Sequence, residues 1–291
     1  MLTNQSILSQ TDPAGIFFRG DSMANESELS GLNFPDAYVK GTLLLHRGDL
    51  EGARRLFETA REEVRGSKDP RLVTAVLGNL GNVYAALDEK EKARSLYREV
   101  LEHQRKDPDA RIAGRTLVNL GNLSRELGEA ERSRAYYLEA ESLLQSSRDD
   151  FSLGSLYANL GLLEMDGRRP GEAVTFLKRA IELHKKTGNE EGLAAAWGQL
   201  GRAYRQLGKD QRAETCFNYS FTHFGQVGNP EGEAEALRGL ADIYEDRNEP
   251  ELALRCLTRI REIFTRFSLR LPEVDSNRED HLRRAVRPGG K

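Results

Sequence analysis

Hydrophobic and small residues recur along this chain with a period of forty positions. The copy at 77–87 reads LGNLGNVYAAL and the copy at 197–207 reads WGQLGRAYRQL, so leucine, glycine and tyrosine keep fixed spacings. A fixed period over six copies indicates a stacked array of structural repeats. The glycine place of the six copies is held by Gly41, Gly81, Gly121, Gly161, Gly201 and Ala241.

The second half of every copy carries a small residue, a large apolar residue four positions later, and a small or β-branched residue three positions after that. Spacings of four and three place these side chains on one face of an α-helix. We therefore expect two helices per copy, the first around the glycine and the second around the large residue. The large residues are Phe57, Tyr97, Tyr137, Leu177, Phe217 and Leu257.

A family resemblance rests on these positions. Tetratricopeptide repeats have the pattern W-x2-L-G-x2-Y followed by A-x3-F on a helix–turn–helix unit. The fifth copy resembles that pattern throughout, with Trp197, Leu200, Gly201, Tyr204, Ala213 and Phe217. The period exceeds the usual length of about 34 residues, which makes the chain similar to the long-helix arrays of kinesin light chains and LGN. The resemblance implies an all-α, right-handed superhelical solenoid of six helix–turn–helix repeats that acts as a scaffold or adaptor for another protein.

Repeat boundaries follow from the period and from Asp or Asn residues at the expected helix starts, where their side chains accept hydrogen bonds from backbone N–H groups. Residues 270–291 are expected to form a short capping helix and a tail. Residues 1–30 lack the period: either they form a disordered tail, or Ile16–Phe18 packs on the first repeat or in the protein's own groove, and Met23 is an alternative start. The six repeats cover about 31–69, 70–109, 110–149, 150–189, 190–229 and 230–269.

Composition restricts the class of protein. The chain of 291 residues is 31% charged, has a net charge of −3 and has a mean hydropathy of −0.61. No apolar stretch approaches the ~18 residues of a membrane span, and the charge gives no electrostatic reason for nucleic-acid binding. Cys216 and Cys256 occupy the same place in successive copies, about 10 Å apart by helix packing, which is too far for a disulfide. We therefore expect a cytoplasmic protein with reduced cysteines.

Amide side chains precede the Leu-Gly pair in the four central copies. Asparagine costs about 0.6 kcal/mol relative to alanine inside a helix, so its recurrence suggests a compensating role. The resemblance implies such a role, because in O-GlcNAc transferase the matching asparagines form a ladder that holds a peptide backbone. An amide both donates and accepts hydrogen bonds, so it can bind a backbone without reading side chains. The candidates are Asn79, Asn119, Asn159 and Gln199, with Asn82 and Asn122 one turn later.

The same amides have a second interpretation, in which each one bonds to the neighbouring repeat and only fixes its register. Specificity for a peptide is assigned to Asn82, Asn122, Arg125, Arg202 and Arg205. A partner with acidic residues followed by basic ones would complement the groove, although a single arginine is more often solvated surface. Other positions expected to face the groove include Ala75, Gly78, Arg115, Val118, Ser155, Ala158, Ala195, Gly198, Arg238 and Asp242.

No catalytic or metal-binding pattern emerges from the sequence. The five histidines lie in different copies, and no P-loop spacing is present. We therefore expect no enzymatic activity, no cofactor and no metal ion. The alternative to peptide binding is a self-assembling structural protein, in which the terminal repeats of one copy stack on those of another to give a homo-oligomer.

Overall fold

A computed structural model describes residues 34–106 and 108–286. In these ranges every regular element is an α-helix, which confirms the all-α prediction. The expectations for residues 1–30, including Ile16–Phe18 and Met23, and for the final PGGK lie outside the described residues. The helices are α1 (Asp36–His46), α2 (Leu50–Glu63), α3 (Pro70–Ala86), α4 (Lys90–Lys106), α5 (Ala110–Glu126), α6 (Ala130–Ser146), α7 (Asp150–Asp166), α8 (Pro170–Thr187), α9 (Glu190–Gln206), α10 (Asp210–Val227), α11 (Pro230–Asp246), α12 (Pro250–Arg266) and α13 (Glu273–Val286).

The helices pack in the order in which they follow one another along the chain. The first and second helices of a repeat contact each other, as in α3 with α4 and α5 with α6. The second helix also contacts the first helix of the next repeat, as in α2 with α3 and α10 with α11. Contacts limited to neighbouring repeats are those of an α-solenoid, which confirms the predicted fold class.

Side-chain caps fix where the first helices begin. The Asp69 carboxylate accepts a hydrogen bond from the Arg71 backbone N–H at 3.0 Å, and the Asp109 carboxylate accepts one from Arg111 at 2.9 Å. The Asn189 side-chain oxygen does the same for Gly192 at 2.9 Å. These bonds satisfy N–H groups that have no partner within the helix. The predicted helix starts at Asp and Asn therefore have the expected cause.

The recurring glycine makes room for the large residue sixteen positions later. A Cβ added to Gly81 would lie 2.6 Å from the Tyr97 ring, and one added to Gly121 would lie 2.3 Å from the Tyr137 ring. Distances this short require the ring or the helix to move, so the close approach of first and second helices depends on glycine. The sixth copy has Ala241, and Leu257 replaces the aromatic ring there.

The chain divides into two compact units, and the boundary between Asn159 and Leu160 lies inside α7. Unit 1, up to Asn159, has a core that includes Phe57, Leu80 and Tyr97. Unit 2, from Leu160, has a core built around residues such as Phe217, Leu240 and Ile260. Large apolar residues from first and second helices meet in both cores, because each helix has one apolar face to bury.

Helix α13 covers the end of unit 2 by packing on α12. Of the apolar residues in the last turns of α13, Leu282 is buried, whereas Ala285 is exposed. A carboxylate does much of the remaining packing: Glu279 is fully buried and accepts a hydrogen bond from Arg261 Nε at 2.7 Å. The cap is therefore held by ion pairs between a buried carboxylate and partly exposed arginines as well as by the buried Leu282, and a search for apolar periodicity does not detect these ion pairs.

Candidate peptide-binding surface

The amide candidates occupy the same place on successive first helices. Asn79 lies on α3, Asn119 on α5 and Asn159 on α7, and these three residues of unit 1 form the amide row. Their exposed fractions are 1%, 0% and 1%. Gln199 holds the equivalent place on α9 in unit 2 and is also buried. The side chains are thus part of the interior, which makes any unsatisfied polar atom in them costly.

The nitrogen atoms of two amides bond to the preceding repeat. Asn79 Nδ2 donates to the Tyr38 hydroxyl on α1 at 3.0 Å. Asn119 Nδ2 donates to Asn82 Oδ1 on α3 at 3.0 Å. Hydrogen bonds between adjacent first helices fix the register of the repeats, so this half of each amide acts as the second interpretation expects.

Tyrosine hydroxyls from the second helices complete this network. Tyr97 donates to Asn82 Oδ1 at 2.7 Å, and Tyr137 donates to Asn122 Oδ1 at 2.7 Å. Burial raises the pKa of Tyr38 to about 12 and raises the pKa of Tyr97 well above its usual value. Both hydroxyls therefore stay neutral at physiological pH, so Tyr97 keeps the proton that it donates to Asn82, and Tyr38 accepts from Asn79 as an uncharged hydroxyl.

Four buried amide oxygens accept no hydrogen bond from the described residues. Asn79 Oδ1, Asn119 Oδ1 and Gln199 Oε1 are buried and have no hydrogen-bond partner among the residues that the structure describes. Within the same part of the chain, Asn159 has no partner for either its Oδ1 or its Nδ2. A buried polar group without a partner costs about 1–3 kcal/mol, and here the cost recurs at one place in four consecutive copies.

The groove-facing positions differ between the two units. In unit 1 they are small or apolar and buried, as at Ala75, Val118 and Ala158. In unit 2 the corresponding Ala195 and Gly198 are partly exposed. The groove-facing side chains named for unit 1 are therefore uncharged and shielded from solvent, whereas those named for unit 2 are partly accessible.

Arg115 illustrates how unit 1 removes charge from this surface. Its Nε donates to Asp149 Oδ2 at 2.9 Å and to Ser152 Oγ at 3.0 Å, and its exposed fraction is 3%. Asp149 also caps the start of α7 by accepting from the Ser152 backbone N–H at 3.1 Å. The arginine thus ties α5 to the beginning of α7. Arg125, in the last turn of α5, is half-buried.

The specificity candidates of unit 2 form ion pairs between successive first helices. Arg202 pairs with Glu235 at 3.1 Å, and Arg205 pairs with Asp242 and, at 2.8 Å, with Asp246. These arginines are one-third or more exposed, so the pairs contribute little stability individually. The series of ion pairs continues to α13 through Arg238–Asp275 and Arg278–Asp242, both at 2.7 Å. Basic and acidic side chains expected to contact a partner therefore contact each other.

The geometry and the family comparison agree. A protein-family model described as "Tetratricopeptide repeat" matches the sequence at residues 36–106, 72–146, 152–222 and 192–266. The chain belongs to the tetratricopeptide repeat family. No curated protein matches it.

Solved structures show the same fold at low sequence identity. BtubC (BKLC) from P. vanneervenii is 23% identical with a TM-score of 0.56, covering 66% of this chain and 79% of that one. A STAND ATPase with a tetratricopeptide repeat sensor from Pyrococcus horikoshii is 14% identical with a TM-score of 0.71, covering 87% and 39%. Kinesin light chain nearly identical repeats from Podosopora anserina are 17% identical with a TM-score of 0.51, covering 66% and 94%. The predicted likeness to kinesin light chain arrays is confirmed for the fold.

Two other expectations concern cysteines and membrane insertion. Cys216 and Cys256 are free and buried, and burial raises their thiol pKa values to about 12 and about 11. These thiols are therefore poor nucleophiles in the array. None of the helices within 34–106 and 108–286 is long and apolar enough to cross a membrane. Over the same residues, no cluster of His, Cys, Asp and Glu is arranged to hold a metal ion.

The tyrosine partners of the asparagines were missed at the level of sequence, although a signal for them exists. Tyr97 and Tyr137 stand in the large-residue row where other copies have Phe or Leu. Asparagine precedes each of these tyrosines by fifteen positions, at Asn82 and Asn122. A buried tyrosine needs a partner for its hydroxyl, so the joint occurrence of tyrosine and asparagine in the same copies predicts the bond.

Proposed function

We propose that this tetratricopeptide array is a scaffold or adaptor whose amide row binds the backbone of an extended peptide segment from a partner protein. Tetratricopeptide repeat proteins generally mediate protein–protein interaction, and arrays of this kind are typically not enzymes. The recurrence of unpaired, buried amide oxygens carries the proposal. A peptide N–H donor is the partner that such an oxygen lacks, and a backbone supplies donors at regular intervals.

The two halves of each amide take different roles in this proposal. The Nδ2 atoms of Asn79 and Asn119 fix the register of the repeats, and the Oδ1 atoms accept from the peptide. Asn82, which is held by the Tyr97 hydroxyl, accepts from Asn119 and so links the neighbouring first helices α3 and α5, while Asn122 is held by the Tyr137 hydroxyl of its own repeat. A row set in this way is pre-organised, so little conformational entropy is lost on binding.

Charged residues contribute to specificity separately in each unit. In unit 1 the specificity candidate is Arg125, which is half-buried in the last turn of α5. In unit 2, Gln199 stands with Arg202 and Arg205, whose partly exposed ion pairs can be exchanged for contacts with an acidic side chain at small cost because water screens them. Two buried, reduced cysteines support a reducing compartment, and we propose a cytoplasmic location.

Selection from a displayed random-peptide library tests the proposal. The immobilised bait is the full chain, and selected peptides are then measured by calorimetry against Asn159→Ala and a matched control, Asn218→Ala. Asn218 lies on α10, is exposed, and bonds only to its own helix at Glu214 O among the described contacts. We expect the Asn159 variant to lose about tenfold in affinity, the equivalent of one hydrogen bond, and the control to lose none. Equal affinities for both variants would remove the amide row from the binding site.

Self-assembly is the second candidate. One observation favours it at the N-terminal end, where Val39 and Leu43 of α1 are 59% and 49% exposed one turn apart. The other end is covered by α13. Light scattering across a dilution series, with Leu43→Lys as the comparison, decides between the two, because a mass that stays that of one chain at all concentrations excludes stacking.

A further inference from the structure

The asparagines of the amide row are shielded from solvent, and their side-chain oxygens have no hydrogen-bond partner among the described residues. The three asparagines and the neighbouring Ala75, Val118 and Ala158 of unit 1 expose at most 4% of their surface. A partner reaches atoms buried this deeply only after whatever covers them has moved. Binding at this surface therefore requires an opening step.

The chemistry of the covered surface restricts what can lie on it. The groove-facing positions are small and uncharged except for Arg115, whose charge is balanced by the buried Asp149. The uncharged positions are Ala75, Gly78, Val118, Ser155 and Ala158. A ligand here must carry few charges, because an ion placed on this surface would lose its hydration without gaining a partner. It must also present backbone N–H groups to the amide oxygens, as an extended chain does.

The first eighteen residues of this chain have that composition. The segment reads MLTNQSILSQTDPAGIFF, in which Asp12 is the single charged side chain. By contrast, charged residues make up 31% of the whole chain. The segment also offers apolar side chains at Ile7, Leu8 and Ile16–Phe18, which suit a small, neutral surface.

The chain enters the described structure beside the amide row. Phe34 stacks on Tyr38 with ring centroids 4.3 Å apart, and the Tyr38 hydroxyl accepts from Asn79 at 3.0 Å. Three successive first helices about 10 Å apart span roughly 20 Å, which an extended chain covers in about six residues. The 33 residues before Phe34 therefore provide ample length to reach every amide of the row.

We propose that residues 1–18 bind the amide row as an intramolecular ligand, and that a partner peptide binds by displacing them. This inference rests on the proposed function, since it names the occupant and the regulation of the same site. A tethered ligand reduces the apparent affinity for a partner by the fraction of molecules in which the row is open. The segment thereby sets a threshold for partner concentration without any change in the array itself.

A photocrosslinking experiment on the full chain tests the location of the segment. A benzophenone amino acid replaces Phe17, and mass spectrometry maps its products after irradiation of the dilute protein. We expect intramolecular products within 74–85, 114–124 or 152–159, the parts of α3, α5 and α7 that surround the row. Products confined to other surfaces, or formed only between molecules, would overturn the inference.

A competition measurement separates this inference from the proposed function. The variant Ile16→Asp, Phe17→Asp, Phe18→Asp releases the segment, and Met23→Asp, Ala24→Asp, Asn25→Asp adds the same charge outside it. A library-selected peptide should bind the first variant about tenfold more tightly than wild type, and the control like wild type. If wild type and both triple variants bind the peptide with equal affinity, while Asn159→Ala still weakens binding, autoinhibition by residues 1–18 is overturned and the proposed function stands. Crosslinks in the row without any selected peptide would support the segment as ligand and overturn the partner function.

Discussion

The glycine–aromatic register makes the sharpest prediction about stability, and Gly121→Ala is the perturbation that tests it. The added methyl group would lie 2.3 Å from Cε1 of Tyr137, a ring that is fully buried and held by its hydrogen bond to Asn122. Neither the ring nor the α5 backbone can move without loosening the contact between α5 and α6. The substitution therefore strains the packing between α5 and α6 in unit 1.

The magnitude follows from three opposing terms. Overpacking a core costs about 1–3 kcal/mol, and tilting the Tyr137 ring away from Asn122 costs about 1 kcal/mol more. Alanine returns about 1 kcal/mol through its higher helix propensity. We expect Gly121→Ala to lower the free energy of unfolding by about 2 kcal/mol. Urea denaturation followed by circular dichroism measures it, provided that the m-value is unchanged.

Two further variants show whether the ring is the cause. Gly171 near the start of α8 has no atom within 4 Å of an added Cβ, so Gly171→Ala should be neutral or stabilising by up to about 1 kcal/mol. Adding Tyr137→Leu to Gly121→Ala recreates the alanine–leucine pair of Ala241 and Leu257, and the two substitutions should couple favourably. The reasoning is refuted if Gly121→Ala unfolds at the same urea concentration as Gly171→Ala.

Three other predictions concern buried polar groups. Burial lowers the pKa of His184 to about 4 from 6.5, so the folded protein binds fewer protons than the unfolded chain between these values. The free energy of unfolding that depends on neutral His184 is fully present above pH 6.5 and falls by about 3 kcal/mol in total as the pH drops towards 4. The variant His184→Gln should show a smaller change in the free energy of unfolding over this pH range, measured by urea denaturation. Arg115→Ala leaves the Asp149 carboxylate buried without its cation and should cost about 3–5 kcal/mol in urea unfolding, whereas Arg105→Ala at an exposed pair should cost under about 1 kcal/mol. In the variant that releases residues 16–18, water reaches the Asn159 amide, so Asn159→Ala should raise the free energy of unfolding by about 0.6 kcal/mol through the higher helix propensity of alanine; a lower free energy of unfolding would show that the amide bonds within the array.

The period predicts much of the fold because each repeat is stabilised by its neighbours, and the same contacts recur. The capped starts at Asp69, Asp109 and Asn189 also follow from local chemistry, so they are readable from residue types. The α13 cap is less predictable. The spacing within α13 indicates the ion pair of Glu279 with Arg283 one turn later, but the second partner, Arg261, is brought from α12 by tertiary packing.

The sequence predicts which residues form the candidate site, but it does not predict how deeply they are buried. The recurrence of Asn79, Asn119 and Asn159 marks the row, yet sequence alone leaves open whether a groove-facing position is exposed. Burial depends on how closely first helices approach, which involves small residues and the Asn119–Asn82 bond between α5 and α3. For the same reason the sequence does not indicate that Arg205, a predicted partner contact, also pairs with Asp242 and Asp246 of the next repeat.

The central claim is that amide oxygens of the array accept hydrogen bonds from a peptide backbone. The most direct measurement is an N-methyl scan of a library-selected peptide, with affinities for wild type and for Asn159→Ala. Methylating the peptide nitrogen that faces Asn159 should weaken binding to wild type about tenfold and leave binding to the variant unchanged, because the acceptor is already gone. If every N-methyl substitution weakens binding equally for wild type and for Asn159→Ala, the amide does not hold the peptide backbone and the account is contradicted.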